Sequence, residues 1–278
     1  MTDDRTADDP TTTEPTADDR TTIELEVEVL GTPEEVWQAI ATGPGITSWY
    51  VPHTVEEREG GAMSASFGPG PEMQVDGRVA AWEPPHRFVY DGGEGVEGLA
   101  FEWLVEARDG GTCIVRLVNT GFGDGEPWDD QYDGMAEGWK LFLFNLKLHL
   151  EHFAGREATP VLPMAMWAGP QTSAWATLTA ALGLPAAASV GDHVATTAAD
   201  DVPALAGTVL AADSWRLALL LDAPAPGTAF LAVEGDGPVV GVSVWSYLYG
   251  DEGKAAAARD EPAWWAWLGA RAIEAAPS

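Results

Sequence analysis

Residues 129–134 read Asp-Asp-Gln-Tyr-Asp-Gly, a carboxylate cluster of the sort that holds calcium. A calcium loop between two helices needs oxygen ligands at positions 1, 3 and 5, glycine at 6 and a bidentate glutamate at 12. Counted from Asp129, the residues Gln131, Asp133 and Gly134 fit, but position 12 is Lys140, a cation where the carboxylate belongs. No helix of the required kind precedes the cluster. Asp129, Asp130, Asp133 and Glu137 are better read as acids at the start of a helix, each stabilising its positive end by roughly 0.3–1 kcal/mol.

Other routes to chemistry are equally thin. His149 and His152 stand three apart with Glu151 between them, yet no further ligand clusters there, and imidazoles suit the negative end of a helix. His53, His86 and His193 stand apart. No Gly-x-Ser-x-Gly elbow occurs, and the glycine-rich stretches 68–72 and 235–241 sit at hairpin turns rather than opening a helix after a strand. Cys113 lies in the strand-like run TCIVRLV and reads as a buried, inert thiol. Among 44 acidic residues, chance carboxylate pairs are inevitable and none is singled out for acid–base work. No metal, no cofactor and no catalytic residue is assigned from the sequence.

The elements around these residues are more legible. Residues 23–30, IELEVEVL, alternate with period two, as a strand with one wet face does. Thr32 then serves as N-cap and Pro33 as first helical residue, with Val36, Trp37 and Ile40 forming an apolar stripe. Gly43-Pro44-Gly45 ends that helix, and a short second one carries Trp49. Strand-like runs come next, joined by turn residues, with Asp109-Gly110-Gly111 a strong hairpin signal. Their inward faces supply Met63, Phe67, Met73, Phe88, Tyr90, Phe101, Trp103 and Asn119. The run EGWKLFLFNLKLHLEHF reads as a long helix with Trp139, Phe142 and Leu146 on its apolar face. The fold class is α+β: an antiparallel sheet covered on one side by a long helix.

Composition bounds the partners. The 278 residues, 46% hydrophobic, suffice for one large or two modest domains. A net charge of −30 repels nucleic acid and anionic membranes, and no apolar run is long enough for membrane insertion. Residues 1–20, acidic and rich in Thr and Pro, read as a disordered tail without the features of a signal peptide. A single cysteine fits a reducing compartment, so a cytoplasmic location is expected.

Four stretches carry a resemblance: TPEEVWQAIATGPGITSWYVP, GRVAAWEPPHRFVYDG, FEWLVEARDGGTCIVRLVNTGF and GMAEGWKLFLFNLKLHL. In that order they make residues 21–156 similar to the START-like (SRPBCC) superfamily with the helix-grip fold. The branch they resemble is that related to the activator of the 90-kDa heat-shock chaperone's ATPase. The resemblance implies an elongated cavity between sheet and long helix. Trp49, the inward strand residues and Trp139, Phe142 and Leu146 would line it, with Asn119 and Tyr90 as polar handles. The implied function is to bind a small hydrophobic ligand, lipid-like or aromatic, as carrier or sensor. Two rivals come with the family: a co-chaperone, and a cofactor-free polyketide cyclase/aromatase. The full-length eukaryotic activators carry an N-terminal domain with a Trp-His-Trp motif, which has no counterpart in this sequence.

Residues 157–172 hold three prolines and read as a linker. Beyond it, 173–278 repeat the order of elements in worn form: Trp175 parallels Trp37, Gly207 parallels Gly77 and Trp265 parallels Trp139. The repetition predicts a tandem pair of helix-grip domains, the second shorter and degenerate. Its first strand is hard to find unless PVLPMAMWAG supplies it, and Asp260 and Glu261 stand where the second long helix would begin. RLALLLD and VVGVSVW are apolar on both faces, so this sheet is expected to be covered on both sides. The cover would come from the first domain or, by self-association, from another subunit.

Overall fold

The computed structural model describes residues 22–92, 98–121, 126–185, 187–197 and 202–273, with the backbone alone at 126–131 and 133. The tail expected at 1–20 lies outside the described residues.

The first half opens with β1 (Thr22–Leu30), α1 (Pro33–Ala41) and α2 (Gly43–Thr47). Thr32 caps α1 in a reciprocal box: its hydroxyl accepts from the Glu35 amide while the Glu35 carboxylate accepts from the Thr32 amide. Thr42 caps α2 through the Gly45 amide. Six more strands complete the sheet: β2 (His53–Val55), β3 (Ala62–Ser66), β4 (Gln74–Glu83), β5 (Arg87–Asp91), β6 (Ala100–Arg108) and β7 (Thr112–Thr120). All seven are antiparallel, in the order β1-β7-β6-β5-β4-β3-β2. Gly110 and Gly111 turn β6 into β7 with positive φ, as the hairpin signal requires. The long helix α3 (Glu126–His152) closes the half. Residues 129–134 therefore lie inside α3, in its opening turns, and not in a loop before it.

The second half repeats this plan. Its strands are β8 (Ala158–Val161), β9 (Met164–Ala168), β10 (His193–Ala195), β11 (Ala206–Ala212), β12 (Arg216–Ala223), β13 (Gly227–Glu234) and β14 (Val239–Tyr249). Two helices, α4 (Gln171–Leu182) and α5 (Gly250–Gly269), stand where α1–α2 and α3 stand in the first. The sheet order is β10-β11-β12-β13-β14-β8, with β9 also on β14. Replacing β14 by β7, β13 by β6, β12 by β5, β11 by β4 and β10 by β3 reproduces the first sheet without its outermost strand. The fold is thus α+β helix-grip in two tandem copies.

In this half one open expectation is met and two are corrected. PVLPMAMWAG, within the stretch 157–172 read as a linker, supplies the missing first strand: β8 and β9 pair in turn with the two ends of β14, Val161 opposite Ser246 and Met164 opposite Ser243. Together they are the counterpart of β1, interrupted at Leu162-Pro163. Next, α5 begins at Gly250 with Asp251 and Glu252 in its first turn. Asp260 lies in mid-helix, nearly buried, chelated by the neighbouring Arg259 guanidinium. Asp260 and Glu261 therefore do not start the helix. Finally, Trp264 and Trp267 fill the second core, while Trp265, matched to Trp139 by sequence, faces an outer groove.

The two halves share α3. One side of it, with Trp139, Leu143, Leu146 and Leu150, packs into the first core. The other, with Leu141, Phe144 and Leu148, meets Ala218, Phe230 and Tyr247 on the second sheet. That contact explains why seven of the eight residues of β13 are buried and why its sheet reads as apolar on both faces. The cover is the chain's own helix, so the sheet needs no second subunit. Between Leu141 and Leu150 only Lys147 is exposed, as burial on two sides demands.

Candidate ligand cavity

Between the first sheet and α3 lies a cavity of about 410 Å³. β3 contributes Met63 and Ala65, β4 Val75 and Gly77, β5 Tyr90 and Asp91, and β6 Phe101. Gly134, Met135, Gly138, Trp139 and Phe142 come from α3; Tyr50 and His53 close the end near α2. Gly134, Gly138 and Phe142 are spaced by four, so they share one helix face. A Cβ at either glycine would meet nothing within 4 Å, and the missing side chains are part of what leaves the space open.

The walls are mostly rings. Tyr50 meets Phe142 edge-on at 4.4 Å between centroids and Trp139 at 4.8 Å. Tyr90 stacks on Phe101 at 4.8 Å. Burial pushes both phenols well above their ordinary range, so they stay protonated. His53 donates from Nδ1 to the Val51 carbonyl at 2.7 Å, and burial lowers its pKa to about 4. It is therefore neutral near pH 7, with its proton on Nδ1. The indole Nε1 of Trp139 is buried and has no hydrogen-bond partner among the described residues. No Lys or Arg stands among the cavity's described walls; Asp91 is its one charged group.

Six of the twelve residues expected at the site border this cavity: Met63, Phe67, Tyr90, Phe101, Trp139 and Phe142. The other six do not. Trp49 turns into the core and donates its indole N–H to the Ala39 carbonyl at 2.8 Å. Phe88 is buried against Trp37 and Trp82, Trp103 lies between Trp49 and Trp139, and Leu146 is fully buried behind them. Asn119, expected as a polar handle, instead donates to the Ala100 carbonyl across the β6–β7 pair at 3.1 Å. Met73 falls on a 3-10 turn (Pro71–Met73) started by Gly70-Pro71, which ends the strand alternation and turns it outward. Tyr50 and His53 were missed. The signal was Pro52, which breaks the helix and starts a three-residue strand too short to show alternation.

No group of three or more metal-ligating side chains exists among the described residues. His149, read as half of a helical pair, instead donates Nδ1–H to the Tyr249 hydroxyl at 2.8 Å, which in turn donates to the Ser48 carbonyl. Cys113 is buried and its thiol is held up by that burial. No helix among the described residues is long and apolar enough to cross a membrane.

Residues 31–151 match the family described as Activator of Hsp90 ATPase homolog 1-like protein. Over those residues the first domain is similar to that family. Solved structures similar to the chain include the Aha1 dimer from Colwellia psychrerythraea, at 19% identity over 47% of this chain and 96% of that one, TM-score 0.41. The di-domain ARO/CYC BexL from the BE-7585A biosynthetic pathway is 15% identical over 92% and 99%, TM-score 0.43. DynU16, a putative protein in the dynemicin biosynthetic locus, is 17% identical over 90% and 98%, TM-score 0.42. No curated protein matches the chain. The matched segment contains most of the residues that line the cavity. In the second domain Leu178 and Leu182 of α4 and Trp264, Trp267 and Leu268 of α5 belong to the buried core.

Proposed function

We propose that the first domain binds a small hydrophobic molecule, as carrier or sensor, and that the second domain is a buttress. The observation that carries this reading is the ring-lined cavity of about 410 Å³, within the roughly 300–1,000 Å³ of small-molecule sites. The space opens beside a close-packed core, and its apolar, ring-lined walls suit a small hydrophobic molecule. The domains divide, on this reading, near residue 157, with β8 already part of the second. The protein would act in the cytoplasm without a cofactor.

Native mass spectrometry of protein purified gently from its own host tests this. A discrete retained mass of a small molecule is the expected result. Neither a retained mass nor any shift of Tm across a broad library of hydrophobic compounds would sink the reading.

The family match favours a second reading, a co-chaperone. Recovery of the 90-kDa chaperone with the purified protein, unaffected by filling the cavity, would put that reading first.

A further inference from the structure

Granted that the cavity is the binding site proposed above, the walls it shares with the surface point to where a ligand enters. Three of its lining residues also border an outer pocket: Gly134, His53 and Phe67. Gly134 is held in the backbone of α3 and has no side chain to move. His53 is buried and pinned by the bond from its Nδ1 to the Val51 carbonyl. Phe67 is neither. It is 43% exposed, whereas Tyr50, Tyr90, Trp139 and Phe142 of the same wall are 9% exposed or less. Its ring meets the edge of Tyr50 at 6.1 Å, while its backbone is fixed, the amide donating to the Met73 carbonyl at 2.8 Å. The side chain is therefore the movable part, and exposed side chains change rotamer on the picosecond-to-nanosecond scale.

What lies outside Phe67 belongs to both halves of the chain. A groove of about 210 Å³ runs between Pro52 and Pro69 of the first domain and Pro160, Leu162 and Trp265 of the second. Glu261 is the one charged group among its described walls. A ring swung off Tyr50 therefore passes from one largely apolar surface to another, and the change in buried apolar area stays small. The groove also accounts for Trp265, which is half-buried on the outer side of α5 while Trp264 and Trp267 fill the core. We propose that the groove between the domains is the entry route to the cavity, that the Phe67 ring is its gate, and that Trp265 is the surface on which the open ring rests. The second domain is then part of the entrance as well as a buttress.

The test reads the rate at which the full chain takes up N-phenyl-1-naphthylamine, an uncharged hydrophobic fluorophore, by stopped flow. In Trp265→Cys the new thiol is labelled with a benzophenone maleimide, which fills the groove from outside; Trp265 itself does not line the cavity. Cys113 is buried, and the parent treated with the same reagent controls for it. The label is expected to slow association and dissociation alike by about tenfold or more, with Kd within about twofold of the unlabelled variant, because a blocked route changes neither end state. The unchanged Kd also shows that the labelled protein is folded. Phe67→Ala removes the gate and should speed association by about tenfold, the loss of one aromatic contact expressed as a rate. A Phe67→Ala variant that takes up the probe no faster than the parent overturns the proposal. If the parent binds the probe and the label at position 265 changes nothing, the gate falls and the cavity reading stands. If the parent binds neither the probe nor any compound of the hydrophobic library, and retains no small molecule from its host, the cavity reading falls and the gate with it.

Discussion

At the scale of single residues, the polar groups sealed between the halves decide most. Asn145 is fully buried, donates to the Trp49 carbonyl at 2.9 Å and accepts from the Thr228 hydroxyl at 2.8 Å. It ties the segment leading to Tyr50 to β13 through α3. Asn145→Ala leaves two buried groups unpaired, each worth about 1–3 kcal/mol, so a loss of about 2–4 kcal/mol is expected in urea denaturation. His53 and His149 give a pH signature. Burial lowers both to about 4 from an ordinary 6.5, so the unfolded chain binds protons that the folded one refuses. Their contribution is complete above pH 6.5 and is lost as pH falls from 6.5 toward 4. It is on the order of 3 kcal/mol for each. Denaturant midpoints should fall across that window, and the fall should be smaller in His149→Gln, which removes one of the two groups. An unchanged pH slope in that variant would refute the assignment.

At the scale of elements, α3 serves two sheets. Gly134 and Gly138 weaken it as a helix, by about 1 kcal/mol each relative to alanine, and in return leave the cavity open. Gly138→Leu should strengthen the helix and fill the cavity. The expected outcome is a Tm equal to or above that of the parent with ligand retention abolished, read by thermal denaturation and native mass spectrometry together. The opposite face of α3 explains a second expectation. Phe144→Asp places a charge against Phe230, where burial of an unpaired charge is strongly destabilising. Stability should drop by about 3 kcal/mol or more, comparable to truncating a core phenylalanine.

At the scale of the whole molecule, the halves are not independent beads. Phe142 lines the cavity on one side and stacks on Trp245 of β14 at 5.6 Å on the other. Tyr249 of the second half holds His149 and the Ser48 carbonyl of the first. The chain should therefore unfold in one cooperative transition, checked by agreement of calorimetric and van't Hoff enthalpies. Residues 157–278 alone would expose the apolar face of the second sheet and should self-associate. If that fragment stays monomeric by sedimentation, the shared-helix account fails.

The sequence by itself determined the element order, the N-cap at Thr32, the glycine hairpin at 110–111 and the doubling of the fold. Each of these is set by near neighbours: alternation, helical spacing, turn geometry. It also excluded calcium at 129–134 through one residue, Lys140. Tertiary structure alone decided which of the inward rings border open space. Trp49, Phe88 and Trp103 are of the same residue types as Trp139 and Phe142, and periodicity cannot tell a ring that meets a ring from one that meets a void. That distinction depends on the distance between a sheet and a helix joined by no local rule. His53 came to the cavity on a three-residue strand and Tyr50 on the turn before it, and Pro160 entered the second sheet despite its strand-breaking type because β14 offered an edge. Volume and edge pairing are properties of elements far apart in the chain, and only folding brings them together.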